Sequence, residues 1–223
     1  MAIVPVANRS AHLVQTNNPS WPDMSDYVVH FAKQYDGRSD YDTIMGILSG
    51  QVIRAFNSFG IARENAPDPS SQRTVCFSET PLHYLGRIAN RRSELGIVFR
   101  KSFIVSRGGN PILYAYRDQP LYHSVHALMA AGRGNPNAPI WSMTPFVDAV
   151  GGNYNFEWER EWRHIGDLRF TSDDVAFLII PANLHEAART FFASAEEDEV
   201  GPNYPCPFID ARWNQQQIAE ALG

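Results

Sequence analysis

Lysine is nearly missing from this chain. Of its 19 basic residues only Lys33 and Lys101 are lysine, and the formal net charge is −5 over 223 residues. Such a chain lacks the overall basic footprint of a general nucleic-acid binder, so any contact with DNA or RNA has to be local. Cysteine is equally scarce. Cys76 and Cys206 cannot build a disulfide framework, no Cys/His pair has zinc-ligand spacing, and no metal is expected. Long apolar runs are also lacking. None approaches the roughly 20 residues of a membrane span, and the opening MAIVPVANRS has no basic segment followed by an apolar one. The expectation is a cytoplasmic protein without membrane contact. Neither G-x-G-x-x-G nor a P-loop occurs, which leaves a Rossmann- or Walker-type nucleotide site without support.

What is present is apolar enough to fold. Hydrophobic residues make up 44% and aromatic residues 12% of the chain, and this length suits one domain with a sizeable core. Residues 1–24, rich in Asn, Pro and Ser without periodicity, read as an irregular N-terminal arm, and 25–223 as a single α+β domain. Tyr27 to Ala32 is a short β-rich run with His30 near its end. A helix follows, capped by Ser39 or Asp40, with Ile44, Ile47 and Leu48 on one face and Gly50 in the position of a left-handed cap. A long loop over 57–73 precedes a strand at Thr74 to Ser78. Thr80 then reads as an N-cap and Pro81 as the first residue of a helix that buries Leu82, Leu85 and Ile88.

Gly96 to Val105 and Ile112 to Tyr116, joined through Gly108-Gly109-Asn110-Pro111, pattern as a hairpin. Residues 120–131 and 139–150 are helix candidates. Asn155 to Arg163 alternates at strand period, which puts Glu157, Glu159 and Glu161 on one face. A strand at Val175 to Ile180, a helix from Pro181 to Ala195 ended by the acidic run 196–199, a strand near Phe208 and a helix over 212–222 complete the chain.

The densest chemistry lies in Glu157-Trp158-Glu159-Arg160-Glu161-Trp162-Arg163-His164. Like charges on one strand face must find arginine partners, water or a ligand, and a carboxylate there can stabilise a developing positive charge. The plainer reading is a solvated face of ion pairs. His30 and the pair Ser78-Glu79 each stand at or near a strand end, an order that suits a cleft, although a satisfied core histidine and a helix-entry motif are the ordinary readings. Arg91, Arg92, Arg100 and Lys101 read as a local basic patch or a solvated charged face.

Two resemblances attach to these residues. His30-Phe31 followed by a helix from Tyr41 to Gly50 resembles the opening of DarT-like ADP-ribosyltransferases. Val75 to Leu82, Gly96 to Lys101, Asn110 to Tyr114 and Glu159 to Arg163 resemble the AbiGi group of phage-resistance proteins. Together they span roughly residues 27–181. The resemblance implies an ADP-ribosyltransferase fold, a split β-sheet with flanking helices that clamps NAD⁺ as co-substrate. His30 would anchor a ribose hydroxyl, Ser78 would line the nicotinamide pocket, and Tyr41 or Tyr84 would stack on nicotinamide. Glu161 would be the catalytic carboxylate, with Glu159 the alternative. In place of the hydroxyl residue that the DarT-like pattern has two places after the histidine, this chain has Ala32. The precedent implies a toxin or anti-phage effector acting on a nucleobase of DNA or RNA, or on a protein. The antitoxin label of the AbiGi group implies instead a non-catalytic partner of a cognate toxin or antitoxin protein, and the same glutamates also suit a glycohydrolase that cleaves NAD⁺.

Overall fold

A computed structural model describes residues 25–34, 36–79, 81–151 and 155–222. The N-terminal arm and Thr80 lie outside them. The chain is mixed α+β. In order it forms β1 (Tyr27–Phe31), α1 (Asp40–Gly50), β2 (Val52–Ile53), β3 (Thr74–Ser78), α2 (Leu85–Ala89), β4 (Gly96–Arg100) and α3 (Lys101–Ser106). Next come β5 (Asn110–Pro111), β6 (Leu113–Tyr116), α4 (Pro120–Gly132), α5 (Ile140–Met143) and β7 (Val147–Val150). β8 (Glu161–Ile165), β9 (Leu168–Arg169), β10 (Val175–Ile179), α6 (His185–Glu197), β11 (Phe208–Ile209) and α7 (Gln215–Leu222) end the sequence. No helix among the described residues is long and apolar enough to cross a membrane.

The elements sort into two compact units. The described residues of the first fall within Met1–Gln51, Glu79–Phe103 and Phe170–Gly223. Its strands run β11-β10-β4-β1. β4 pairs antiparallel with both β1 and β10, and β10 pairs parallel with β11. Val28, Ile97, Val98, Phe99 and Ile179 are fully shut from solvent, as expected of strands covered on both faces. The Ser39 hydroxyl accepts the Asp42 N–H while the Asp42 carboxylate accepts the Ser39 N–H, a reciprocal cap that starts α1. The left-handed residue at its end is Gln51 (φ 48°), and Gly50 is still helical. Pro81 is extended (φ −52°, ψ 138°) and precedes a 3-10 turn at Leu82–Tyr84 that leads into α2, so it is not the first helical residue. Leu82, Leu85 and Ile88 are buried as the sequence indicates.

The second unit comprises Val52–Ser78 and Ile104–Arg169. β8 pairs antiparallel with β3 on one side and β5 on the other, and β2 pairs antiparallel with β9. The hairpin expected over 96–116 does not form. Strand β4 stops at Arg100, the apolar run after it coils into α3, and the Gly109 N–H bonds back to Ile104 O to end that helix. Strand β6 pairs parallel with β7, an arrangement that requires the crossover supplied by α4 and α5. The helix expected over 139–150 is only one turn, because Pro145 and the β-branched Val147 and Val150 hand the chain over to β7. Ala62, Ala115, Val125, Met129, Trp141 and Val147 form the core beneath it.

Gly60 is one glycine this packing demands. Its φ is +88°, and a Cβ there would overlap the Thr144 carbonyl oxygen.

Candidate active site

The strand expected over 155–163 begins only at Glu161. Glu157–Glu159 is a 3-10 turn, and Arg160 takes the left-handed conformation (φ 47°) that redirects the chain into β8. Glu157, Glu159 and Glu161 therefore do not share a strand face. The Glu157 carboxylate instead accepts the Tyr116 hydroxyl at 2.9 Å, and Glu159 is buried at the end of the turn.

Antiparallel register fixes the neighbours of Glu161. Ser78, the last residue of β3, lies directly opposite it, Cys76 lies opposite Arg163, and Phe77 lies opposite Trp162. Side chains alternate across a strand and directly opposed residues share a face, so Ser78, Cys76, Glu161 and Arg163 stand together while Phe77 and Trp162 pack on the reverse. The last residue of β3 and the first residue of β8 are thus cross-strand partners. The Glu161 N–H donates to the Tyr114 hydroxyl at 3.0 Å, which ties this end of β8 to β6.

Arg163 organises the cluster. It has no solvent exposure, and its Nε and Nη2 donate to the two carboxylate oxygens of Glu161 at 2.8 and 3.0 Å. Nη2 also donates to Asp148 Oδ2 at 2.5 Å, Nη1 donates to Pro145 O at 2.8 Å, and the guanidinium carbon stands 5.4 Å from the Phe59 ring centre. Burial disfavours the charge, but Glu161 first and Asp148 behind it hold the guanidinium above its ordinary pKa. The Glu161 side chain keeps 15% of its exposure and the Asp148 side chain 5%.

Two neighbouring groups, Cys76 and Tyr114, are held in their neutral forms. Burial, with the Glu161 charge added, pushes the Cys76 thiol up to about 12. Burial does the same to the Tyr114 phenol, also to about 12. Cys76 is therefore a thiol at physiological pH and no nucleophile. Among the described residues no group of three His, Cys, Asp or Glu is placed to hold a metal.

The other predicted residues belong to the first unit. His30 is the fourth residue of β1, in register with Ile97. Tyr41, in the first turn of α1, and Tyr84, at the end of the 3-10 turn before α2, are both more than half exposed. In that unit Glu79 is buried with its carboxylate 2.6 Å from Lys101 Nζ, and Arg100 lies over the Tyr27 ring. Lys101 is thereby neutralised and withdrawn from the basic patch expected with Arg91, Arg92 and Arg100.

Asp148 and Tyr114 escaped sequence reasoning as members of this cluster. The available signal was Arg163 itself, an arginine in a strand flanked by Trp162 and His164. A buried guanidinium requires counter-charges from elsewhere in the chain. Set beside protein-family models, curated proteins and solved structures, the chain matches none of them.

Proposed function

We propose that the chain is an NAD⁺-dependent ADP-ribosyltransferase, a toxin or anti-phage effector in which Glu161 is the catalytic carboxylate. The observation that carries this reading is the pairing of Ser78 with Glu161 across β3 and β8. The residue expected at the nicotinamide pocket and the residue expected at the reacting ribose are direct neighbours. In the reaction the bond between nicotinamide and C1 of the ribose breaks, and its electron pair leaves with nicotinamide. The ribose becomes oxocarbenium-like, and an acceptor oxygen or nitrogen attacks C1, forms the new glycosidic bond and gives up its proton to water. A carboxylate fixed at the ribose stabilises that positive charge without reorganising. Glu161 suits the task because Arg163 holds both its oxygens in place. On this reading His30 holds the ribose, Ser78 contacts nicotinamide, Tyr41 or Tyr84 stacks on it, and Glu159 is the reserve carboxylate. A nucleobase of DNA or RNA, or a protein side chain, is the acceptor.

The second reading, a non-catalytic partner of a cognate toxin or antitoxin protein, draws on the same ion pair. Two hydrogen bonds from Arg163 give Glu161 a structural purpose that needs no substrate.

The test is incubation with NAD⁺ labelled on its adenylate, separately with DNA, RNA and cell lysate, for the parent protein, Glu161→Gln and Ser78→Ala. Transfer to one acceptor is expected. In Glu161→Gln, verified as folded by circular dichroism, it should fall by about a hundredfold or more. Full activity in that variant would move the role to Glu159. Nicotinamide release with no labelled acceptor would mark a glycohydrolase. Silence in every arm, with no thermal stabilisation by millimolar NAD⁺, would overturn the transferase reading in favour of the partner reading.

A further inference from the structure

The second unit contains a cavity of about 350 Å³ whose lining includes Ile61, Arg63, Arg117, Tyr122, His126 and Asp148. That volume is at the small end of the range for small-molecule sites. Its walls come from four stretches of chain: the loop around Gly60, the residue after β6, helix α4, and β7. None of its lining residues belongs to the motifs that resemble the transferases.

Two arginines, Arg63 and Arg117, and two carboxylates, Glu64 and Asp148, line the cavity, and they differ in how far they are already engaged. Asp148 contributes a carboxylate, but its Oδ2 is bound by the buried Arg163 and its Oδ1 accepts the Ala149 N–H. Among the described residues Arg63 pairs with its sequence neighbour Glu64 alone, at 3.8 Å, a contact between two exposed side chains with little energetic weight. Arg117 forms no salt bridge among the described residues. Two guanidinium groups from separate segments therefore border one cavity, where the Asp148 carboxylate is bound within the protein and the Glu64 side chain is 81% exposed. Forked arginine donors match the oxygens of a phosphate.

The rest of the wall suits an organic group. Tyr122 stacks obliquely on His126, ring centres 4.3 Å apart, and Ile61 adds an apolar surface. His126 Nε2 is shut from solvent and has no hydrogen-bond partner among the described residues. An unsatisfied buried ring nitrogen is unfavourable. The space also exceeds what a bare phosphate fills.

We infer that this cavity binds a small phosphate monoester, with Arg63 and Arg117 on the phosphate and the Tyr122–His126 pair against the organic group. Nucleoside and sugar monophosphates share that chemistry. The test is isothermal titration of the whole chain with adenosine 5′-monophosphate, ribose 5-phosphate, inorganic phosphate and uncharged adenosine, in parallel with Arg63→Gln, Arg117→Gln and the double variant. Both arginines are exposed, so the variants should fold. At least one of the two monoesters is expected to bind, more tightly than inorganic phosphate, and adenosine is not. Each single variant should weaken binding by about tenfold or more, and the double variant should abolish it. Saturation by the nucleotide alone would identify a base-bearing ligand, and saturation by both esters a sugar phosphate. Failure of both esters to bind at millimolar concentration, or unchanged affinity in the double variant, would overturn the proposal.

Discussion

At the scale of single residues, Arg163 shows how far one buried charge reaches. Four of its contacts are made inside the protein, to Glu161, Asp148, Pro145 and Phe59. Replacing it with an apolar side chain of similar length, Arg163→Met, leaves two carboxylates facing each other without a cation. We expect a loss of about 3–5 kcal/mol, read as a lower urea midpoint with little change in slope. The sequence disclosed Ser78, Glu161 and Arg163 as residues of interest because each sits in a short motif. It did not disclose Asp148, 15 residues from Arg163, because the charge of an aspartate says nothing about which guanidinium it faces. Glu159 and Glu157 were separated from Glu161 by one backbone conformation, the left-handed Arg160, which no side-chain alternation encodes.

Elements were legible where a local signal acts alone. Strand β3 has the expected limits, and the start of α1 follows from the reciprocal Ser39–Asp42 cap. The run Lys-Ser-Phe-Ile-Val-Ser at 101–106 carries no period that separates helix from strand, so its apolar character favoured the wrong element. The pairing of β6 with β7 depends on a long crossover and has no local signature. Element packing also sets the demand at Gly60, where the loop passes against the 3-10 turn at Thr144–Phe146. Gly60→Ala combines a positive φ with an overlap against backbone. It should cost about 2–4 kcal/mol, measured by chemical denaturation, while Gly37→Ala meets no neighbouring atom and should cost only the left-handed strain.

For the whole molecule, chain connectivity matters more than the sequence pattern suggests. The chain passes between its two units at 51/52, 78/79, 103/104 and 169/170, so neither unit is one continuous stretch. A fragment of residues 104–169 retains β8 but lacks β3, its longest partner. We expect that fragment to be unfolded by circular dichroism, and addition of a 52–78 peptide to restore strand signal. A folded isolated fragment would show that β5 and the helices suffice. Mixed α+β composition was readable from the alternation of patterns. The interleaving of two units was not, because it lies in pairings between segments far apart in the chain.

Two edge strands, β5 and β11, carry a consequence for crowded conditions. β5 and β11 each have only two residues, and β5 ends in Pro111, which has no N–H to offer. A neighbouring molecule seeking to add a strand on either of those flanks meets a ladder too short to zip onto. Concentrated solutions should therefore resist edge-to-edge stacking and fibre growth at these two places.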